Sequence, residues 1–186
     1  ASAKNYAKLG EIAFQKMDKI NSEIFTLTYG SMVQVLIKDF EEVGEVNDQL
    51  EKLGYGIGQR LVDELLAKSG ISSCSDFRET AEVIAKVGFK MFLGSAATVA
   101  NWNPEGTTFS LLVDENPLVD FVELPEHLRA LKYCNIFCGV IRGALEMVNL
   151  RVESDYVRCT LWGDETTEIR VRLIEKIEDK YPFDDE

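Results

Sequence analysis

Cys74 is the residue of this sequence with the clearest capacity for chemistry, because it precedes a helix whose predicted buried face is short of bulk. Asp76 and Glu79 have capping-box spacing, which predicts Asp76 as the N-cap of that helix. The positive end of the helix dipole favours the thiolate, which is the form that captures an acyl group from a thioester. Cys74 is therefore a candidate acylation site, although an unmodified thiol is the commoner state of a cysteine at such a position.

The predicted helix from Phe77 to Leu93 offers an acyl chain a place to lie. Helical spacing puts Phe77, Ala81, Ile84, Ala85 and Gly88 on one face, and a face so small either brings a second helix close or leaves a channel. Burying a long acyl chain gains on the order of 10 kcal/mol, so the chain enters either a membrane or an internal channel. For a channel we expect walls from Ala81, Ile84, Ala85 and Gly88, from Ile57, Leu61 and Leu65, and, opposite, from Val140, Ile136 or Ala144.

Residue patterns typical of catalysis do not occur in the sequence. The single histidine, His127, lies in a predicted loop and is interpreted as a surface or loop-packing residue. No nucleophile elbow, phosphate-binding loop or EF-hand spacing is present, and with one histidine a zinc site is not expected. The remaining cysteines are expected to be small buried side chains without disulfides: Cys134, Cys138 and Cys159. The sequence therefore predicts a protein that is not an enzyme and holds no metal.

Composition excludes several further classes. The chain has 186 residues, of which 46% are hydrophobic, and this suits one domain with a full core. Its net charge of −12 argues against nucleic-acid binding and against attachment to anionic membrane by bulk charge. Residues 1–17 are too charged for a signal peptide or a membrane span. We therefore expect a cytosolic globular protein.

The spacing of apolar residues changes between that of helices and that of strands along the chain. Helices are predicted at about residues 22–40, 46–69, 77–93 and 130–148, a hairpin at 98–113, and two further strands from Leu150 and near Ile169. The second helix contains three glycines with no strand before them, which indicates close helix packing and not a nucleotide loop: Gly54, Gly56 and Gly58. This order predicts an α+β fold in two layers, in which a four-stranded antiparallel sheet packs on about four helices.

Two segments carry more apolar surface than one small domain needs. The first predicted helix is apolar on most sides, so one side is a candidate contact with a second subunit. The candidate residues of that dimer interface are Ile24, Phe25, Leu27, Met32 and Leu36. The long loop of residues 114–128 is also apolar, and it either covers the core or meets a partner.

Five blocks of sequence resemble one family. Residues 23–30, 54–58, 73–91, 116–125 and 142–148 are similar, in order and spacing, to the Bet-three-type subunit of TRAPP, the transport protein particle. The resemblance runs from about Ser22 onward, which suggests an N-terminal extension at 1–21 and a single domain at 22–186. It implies a four-stranded antiparallel sheet, dimerisation through the first helices, and a palmitoyl thioester on Cys74.

The same resemblance implies a function. Proteins of this type are scaffold subunits of a vesicle-tethering complex in transport between the endoplasmic reticulum and the Golgi, at whose membranes they are peripheral. The complex promotes nucleotide exchange on a Rab-class GTPase, and residues 176–186 are a candidate contact. A homodimer and a heterodimer with a related subunit are both compatible with the sequence. The alternative is a lipid-binding or lipid-sensing protein with an exchangeable acyl ligand.

Overall fold

The computed structural model describes residues 5–178, in which helices lie against an antiparallel sheet. The helices are α1 (Tyr6–Gln15), α2 (Ser22–Asp39), α3 (Val43–Ser69), α4 (Phe77–Val83), α5 (Phe89–Leu93) and α6 (Ile136–Glu146), with a π-helical segment (Ile84–Gly88) joining α4 to α5. The strands are β1 (Thr98–Ala100), β2 (Thr108–Val113), β3 (Leu150–Arg158) and β4 (Thr167–Lys176). Within the described range no helix is long and apolar enough to cross a membrane.

The sheet follows the alternation of its sequence. Its strand order is β1-β2-β4-β3 and every pairing is antiparallel, with Phe109 opposite Val171 in the centre. Phe109, Leu111, Ile169 and Val171 are fully buried on the face towards α6, whereas Arg170 and Arg172 lie on the exposed face. The α+β fold with a four-stranded antiparallel sheet is therefore confirmed.

Helices α3 and α6 approach each other closely at glycines. A Cβ atom added at Gly54 would lie 2.0 Å from the carbonyl oxygen of Ile136, and one at Gly58 would lie 2.1 Å from that of Val140. From the other side, Gly139 meets the backbone of Glu51 in the same way. Close packing was expected of Gly56 too, but a Cβ there would meet nothing within 4 Å, because Gly56 is half a turn away from the contact.

Helix α6 begins later than predicted, at Ile136 and not near Ala130. Asn47 of α3 explains the difference, because its side chain accepts a hydrogen bond from Lys132 N at 2.8 Å and donates one to Ala130 O at 3.2 Å. The Asn47 backbone oxygen also accepts from Asn135 Nδ2 at 2.8 Å. Side-chain partners of this kind give a backbone segment an alternative to the helix.

The predicted helix over residues 77–93 is interrupted. Residues 84–88 form a π-helical turn, and the carbonyl of Ala85 accepts a hydrogen bond from the N–H of Ala97 at 2.9 Å. A π turn shifts the helical register by one residue. The side chains after the turn therefore point in other directions than a regular helix would give.

Helix α1 lies within the predicted N-terminal extension and packs against the π segment. A Cβ at Gly10 would lie 2.1 Å from the carbonyl oxygen of Lys86, and Ala13 is fully buried. Glu11 forms an ion pair with Lys90 of α5 at 3.1 Å. These contacts join α1 to the rest of the fold. The division into an extension at 1–21 and a domain at 22–186 stays a prediction.

Candidate functional site

An apolar cavity of about 680 Å³ lies beside Cys74. Its volume falls within the roughly 300–1,000 Å³ typical of sites for small organic ligands. Side chains from α2, α3, the α4–α5 region and α6 line it, and most of them are aliphatic or aromatic. Such a cavity favours a ligand that is itself largely hydrocarbon.

Two of its walls come from regular stripes on α3 and α6. Ile57, Leu61 and Leu65 recur every four residues along α3, and all three line the cavity. On α6 the corresponding stripe has the same spacing and consists of Ile136, Val140 and Ala144. The glycine contact described above lies between the same two helices, so it fixes the distance between these walls.

The third wall differs in part from the prediction. Ile84 and Gly88 line the cavity, but Ala81 and Ala85 do not, and both are fully buried elsewhere in the core. The lining residues of α4 are instead Phe77, Thr80 and Val83. Two facts account for the error: the cavity-facing side of α4 is centred nearer Thr80 and Val83, and the π turn changes the register before Gly88.

Cys74 lies in the lining, half-buried, in a polar stretch of residues 72–76. Asp76 caps α4 as predicted, since its side chain accepts a hydrogen bond from Glu79 N at 2.8 Å. One carboxylate oxygen of Glu79 accepts from Ser75 N at 2.5 Å, and the other accepts from the hydroxyl of Tyr6. Burial and this bond to Glu79 raise the pKa of Tyr6, so its hydroxyl stays protonated and donates.

The other three cysteines are buried small side chains, as predicted. Cys134, Cys138 and Cys159 are each at most 2% exposed. Burial raises the pKa of Cys134 to about 12, and it raises the pKa of the other two as well. Among the four cysteines, which all lie in the described range, Cys74 is thus the least buried.

Three large apolar residues of the cavity wall also reach the protein surface. Phe25 of α2, Ile57 of α3 and Val148 after α6 all line the cavity, and their exposed fractions are 36%, 39% and 41%. Sequence patterns did not identify Phe25 and Val148 as lining residues, because neither belongs to the helical stripes from which the walls were predicted. The cavity is therefore not sealed by this chain alone.

The predicted dimer-interface residues on α2 divide into two groups. Ile24 and Leu27 are each 64% exposed, and Phe25 also reaches the surface. Met32 and Leu36 are half-buried and pack against the core. Three of the exposed apolar residues of α2 thus lie in its first half, and Val35, which is 53% exposed, lies in its second half.

The loop of residues 114–128 serves the core and also reaches the solvent. Leu118 is buried, whereas Phe121 is 68% exposed. His127 is exposed in a short 3₁₀ turn, in agreement with its interpretation as a surface residue. No group of His, Cys, Asp or Glu suited to a metal ion occurs among residues 5–178.

Fold and cavity together define an α+β domain with an apolar cavity beside a cysteine. The sequence model of the family described as "Transport protein particle (TRAPP) component" matches residues 25–172. The chain belongs to this family.

Named relatives agree over nearly the full length of the chain. It is 57% identical to the trafficking protein particle complex subunit 3 of Dictyostelium discoideum, over 97% of both chains. It is 49% identical to the transport protein particle subunit bet3 of Schizosaccharomyces pombe, over 97% of this chain and 98% of that one.

A solved structure extends the comparison to a ligand. The crystal structure of a trafficking protein particle complex subunit 3 from Naegleria fowleri matches with a TM-score of 0.84 and 56% identity. The match covers 87% of this chain and 100% of that one, and that protein is covalently bound to palmitic acid.

Proposed function

We propose that this chain is a non-catalytic scaffold subunit of a TRAPP-type vesicle-tethering complex and that it carries a palmitoyl chain as a thioester on Cys74. The observation that supports this most strongly is the apolar cavity that reaches the one half-buried cysteine, in a chain 56% identical to a palmitate-bound relative. The acyl chain would lie between the stripes of α3 and α6 and against Ile84 and Gly88.

Energetics favour a chain that is removed from water, and the cavity is one place that can hold it. At about 0.8 kcal/mol for each buried CH₂, a palmitoyl group gains on the order of 10 kcal/mol on leaving water. The cavity wall also gains dispersion contacts that an unfilled cavity lacks. The acyl chain would therefore act as part of the hydrophobic core and not as a membrane anchor.

The finer parts of the proposal concern assembly and location. Exposed apolar residues on α2, namely Ile24, Phe25 and Leu27, would contact a second copy or a related subunit, with Met32 and Leu36 supporting them from the core. The complex would act between the endoplasmic reticulum and the Golgi, peripheral to their membranes, and promote nucleotide exchange on a Rab-class GTPase. The predicted GTPase contact at residues 176–186 lies largely outside the described residues.

Intact mass spectrometry tests the acylation. We expect an added mass equal to one palmitoyl group, its removal by neutral hydroxylamine, and its absence from Cys74→Ser. Cys134→Ser is the matched control. Because the Cys134 thiol is 1% exposed, we expect this variant to keep the adduct on Cys74. A lipid that leaves on denaturation without hydroxylamine would instead support the alternative, an exchangeable ligand.

Assembly is tested separately. We expect wild-type protein to form a dimer, alone or with a related TRAPP subunit, in sedimentation velocity experiments, and Leu27→Asp to abolish it. Thr28→Asp, on the same helix and exposed but polar, is a control for the added charge. A dimer that persists in Leu27→Asp would rule out this face of α2 as the interface.

A further inference from the structure

We propose that α1 is a cover over Cys74, and that Tyr6 and Glu79 are the positioning residues that hold it closed. The cover would limit access of water and soluble nucleophiles to the sulfur and to any acyl group bound to it. Its role in protecting a thioester rests on the proposed acylation of Cys74, but the shielding of the thiol does not.

The first support is packing. Ile71, Val83 and Val87 form a small buried cluster separate from the main core. Cys74 packs against this cluster, and so do Tyr6 and Leu9 of α1. The first turn of α1 therefore shares a hydrophobic surface with the cysteine, and removing that turn would expose the cluster to water.

The second support is the hydrogen bonding of Glu79. One of its oxygens accepts from the backbone N–H of Ser75, which follows Cys74 directly, and the other accepts from the Tyr6 hydroxyl. A single carboxylate thus joins α1 to the loop that carries the cysteine. Hydrogen bonds to a charged acceptor are about twice as strong as neutral ones, so Glu79 is well suited to hold the two segments together.

The third support is that the rest of α1 is anchored by independent contacts. Gly10 lies directly on the backbone of Lys86, Glu11 pairs with Lys90, and Lys16 Nζ donates to Lys68 O at 3.1 Å. These contacts lie away from Tyr6. Loss of the Tyr6–Glu79 bond would therefore free the first turn of α1 while leaving the remainder of the helix docked.

Reactivity of the free thiol is the most direct measurement. Deacylated protein is treated with Ellman's reagent (DTNB), and the rate reports on Cys74 because the other three thiols are at most 2% exposed. For Tyr6→Phe, which loses only the hydroxyl, we expect a rate increase of about 2- to 10-fold. For Tyr6→Ala, which also loses the ring, we expect an increase of about 10-fold or more.

The matched control is Glu11→Gln, which removes the ion pair of α1 with Lys90 but lies away from the cysteine. We expect its DTNB rate to equal that of the wild type within about twofold, as an exposed ion pair contributes little. Cys74→Ser sets the background rate. A graded increase from Tyr6→Phe to Tyr6→Ala, at nearly unchanged melting temperature, is a result that general loosening of the fold would not give.

Acylated protein supplies a second measurement. Hydroxylamine should release the acyl group faster from Tyr6→Ala than from wild type, in the same order as the DTNB rates. Equal DTNB rates in wild type and Tyr6→Ala would overturn the cover, whether or not the protein is acylated. Absence of any acyl group with DTNB rates that do differ would instead leave the cover standing and remove the proposed thioester.

Discussion

The two sides of the α3–α6 pair differ sharply. Along one line the backbones touch, because Gly54 and Gly58 of α3 lie against the backbone of α6, and Gly139 and Gly143 of α6 lie against the backbone of α3. Along the adjacent line the same helices carry the stripes that begin at Ile57 and Ile136, and there they border an apolar cavity of about 680 Å³. Tight packing and an apolar cavity thus lie side by side on one pair of helices.

This difference shows how a cavity can persist in a small domain. An empty apolar cavity forfeits dispersion contacts, and proteins relax around such space as far as the backbone permits. Backbone-to-backbone contact at the glycines leaves α3 and α6 no room to move closer. The cavity is therefore maintained by the tight contact beside it.

The largest expected effect comes from breaking that contact. A Cβ at Gly139 would lie 1.9 Å from the carbonyl oxygen of Glu51, and a backbone atom cannot give way as a side chain does. We expect Gly139→Ala to lower the free energy of unfolding by more than about 3 kcal/mol, as measured by urea denaturation of deacylated protein.

Gly56→Ala is the control, since a Cβ there meets nothing within 4 Å. Alanine is the better helix former, so we expect this variant to gain about 0.5–1 kcal/mol. Equal effects of the two substitutions would show that the glycine contact does not fix the spacing of the helices.

A second comparison makes the same substitution, leucine to alanine, once in the packed core and once in the wall of the cavity. Leu50 is fully buried in the core, and Leu50→Ala should cost about 3–5 kcal/mol whatever the state of Cys74. Leu61 lines the cavity, so Leu61→Ala should cost less than about 2 kcal/mol without the acyl chain and more with it. Urea denaturation of acylated and deacylated protein gives the cost in unfolding free energy of each substitution in each form. An equal cost for Leu61→Ala in both forms would argue against an acyl chain in this cavity.

Periodicity predicted the parts of this arrangement that are regular. The α3 stripe of Ile57, Leu61 and Leu65 follows from helical spacing alone. The alternation of apolar and polar residues predicted the strands of the sheet. The capping of α4 by Asp76 was predicted because a capping box is a local signal. These features depend on residues that are near one another in sequence.

Features that depend on distant segments were missed. Nothing local marks Ile84–Gly88 as π-helical, so regular helical spacing assigned Ala85 to the cavity although it is buried elsewhere. The contact of Tyr6 with Glu79 joins residues 73 positions apart. Asn47 shortens α6 in the same way, from a helix that lies much earlier in the chain.

A small expected change in stability, and the sharpest test of the cavity's role, comes from Gly88→Leu. A Cβ at Gly88 would lie 3.5 Å from Leu65 Cδ1, an ordinary contact, so the larger side chain can enter the cavity without a backbone clash. We expect the unfolding free energy of deacylated protein to change by less than about 2 kcal/mol, because the better helix propensity offsets some overpacking.

The consequence for the ligand should be much larger than the consequence for the fold. A leucine side chain at position 88 would occupy the space between the walls of α3 and α6, so we expect the melting temperature of Gly88→Leu to lose its dependence on acylation of Cys74. Gly88→Ala, which adds one methyl group, should keep that dependence, and differential scanning calorimetry of both forms measures it. An acyl-dependent melting temperature in Gly88→Leu equal to that of wild type would mean that the chain does not pass beside position 88, because the leucine side chain and the acyl chain would compete for that space.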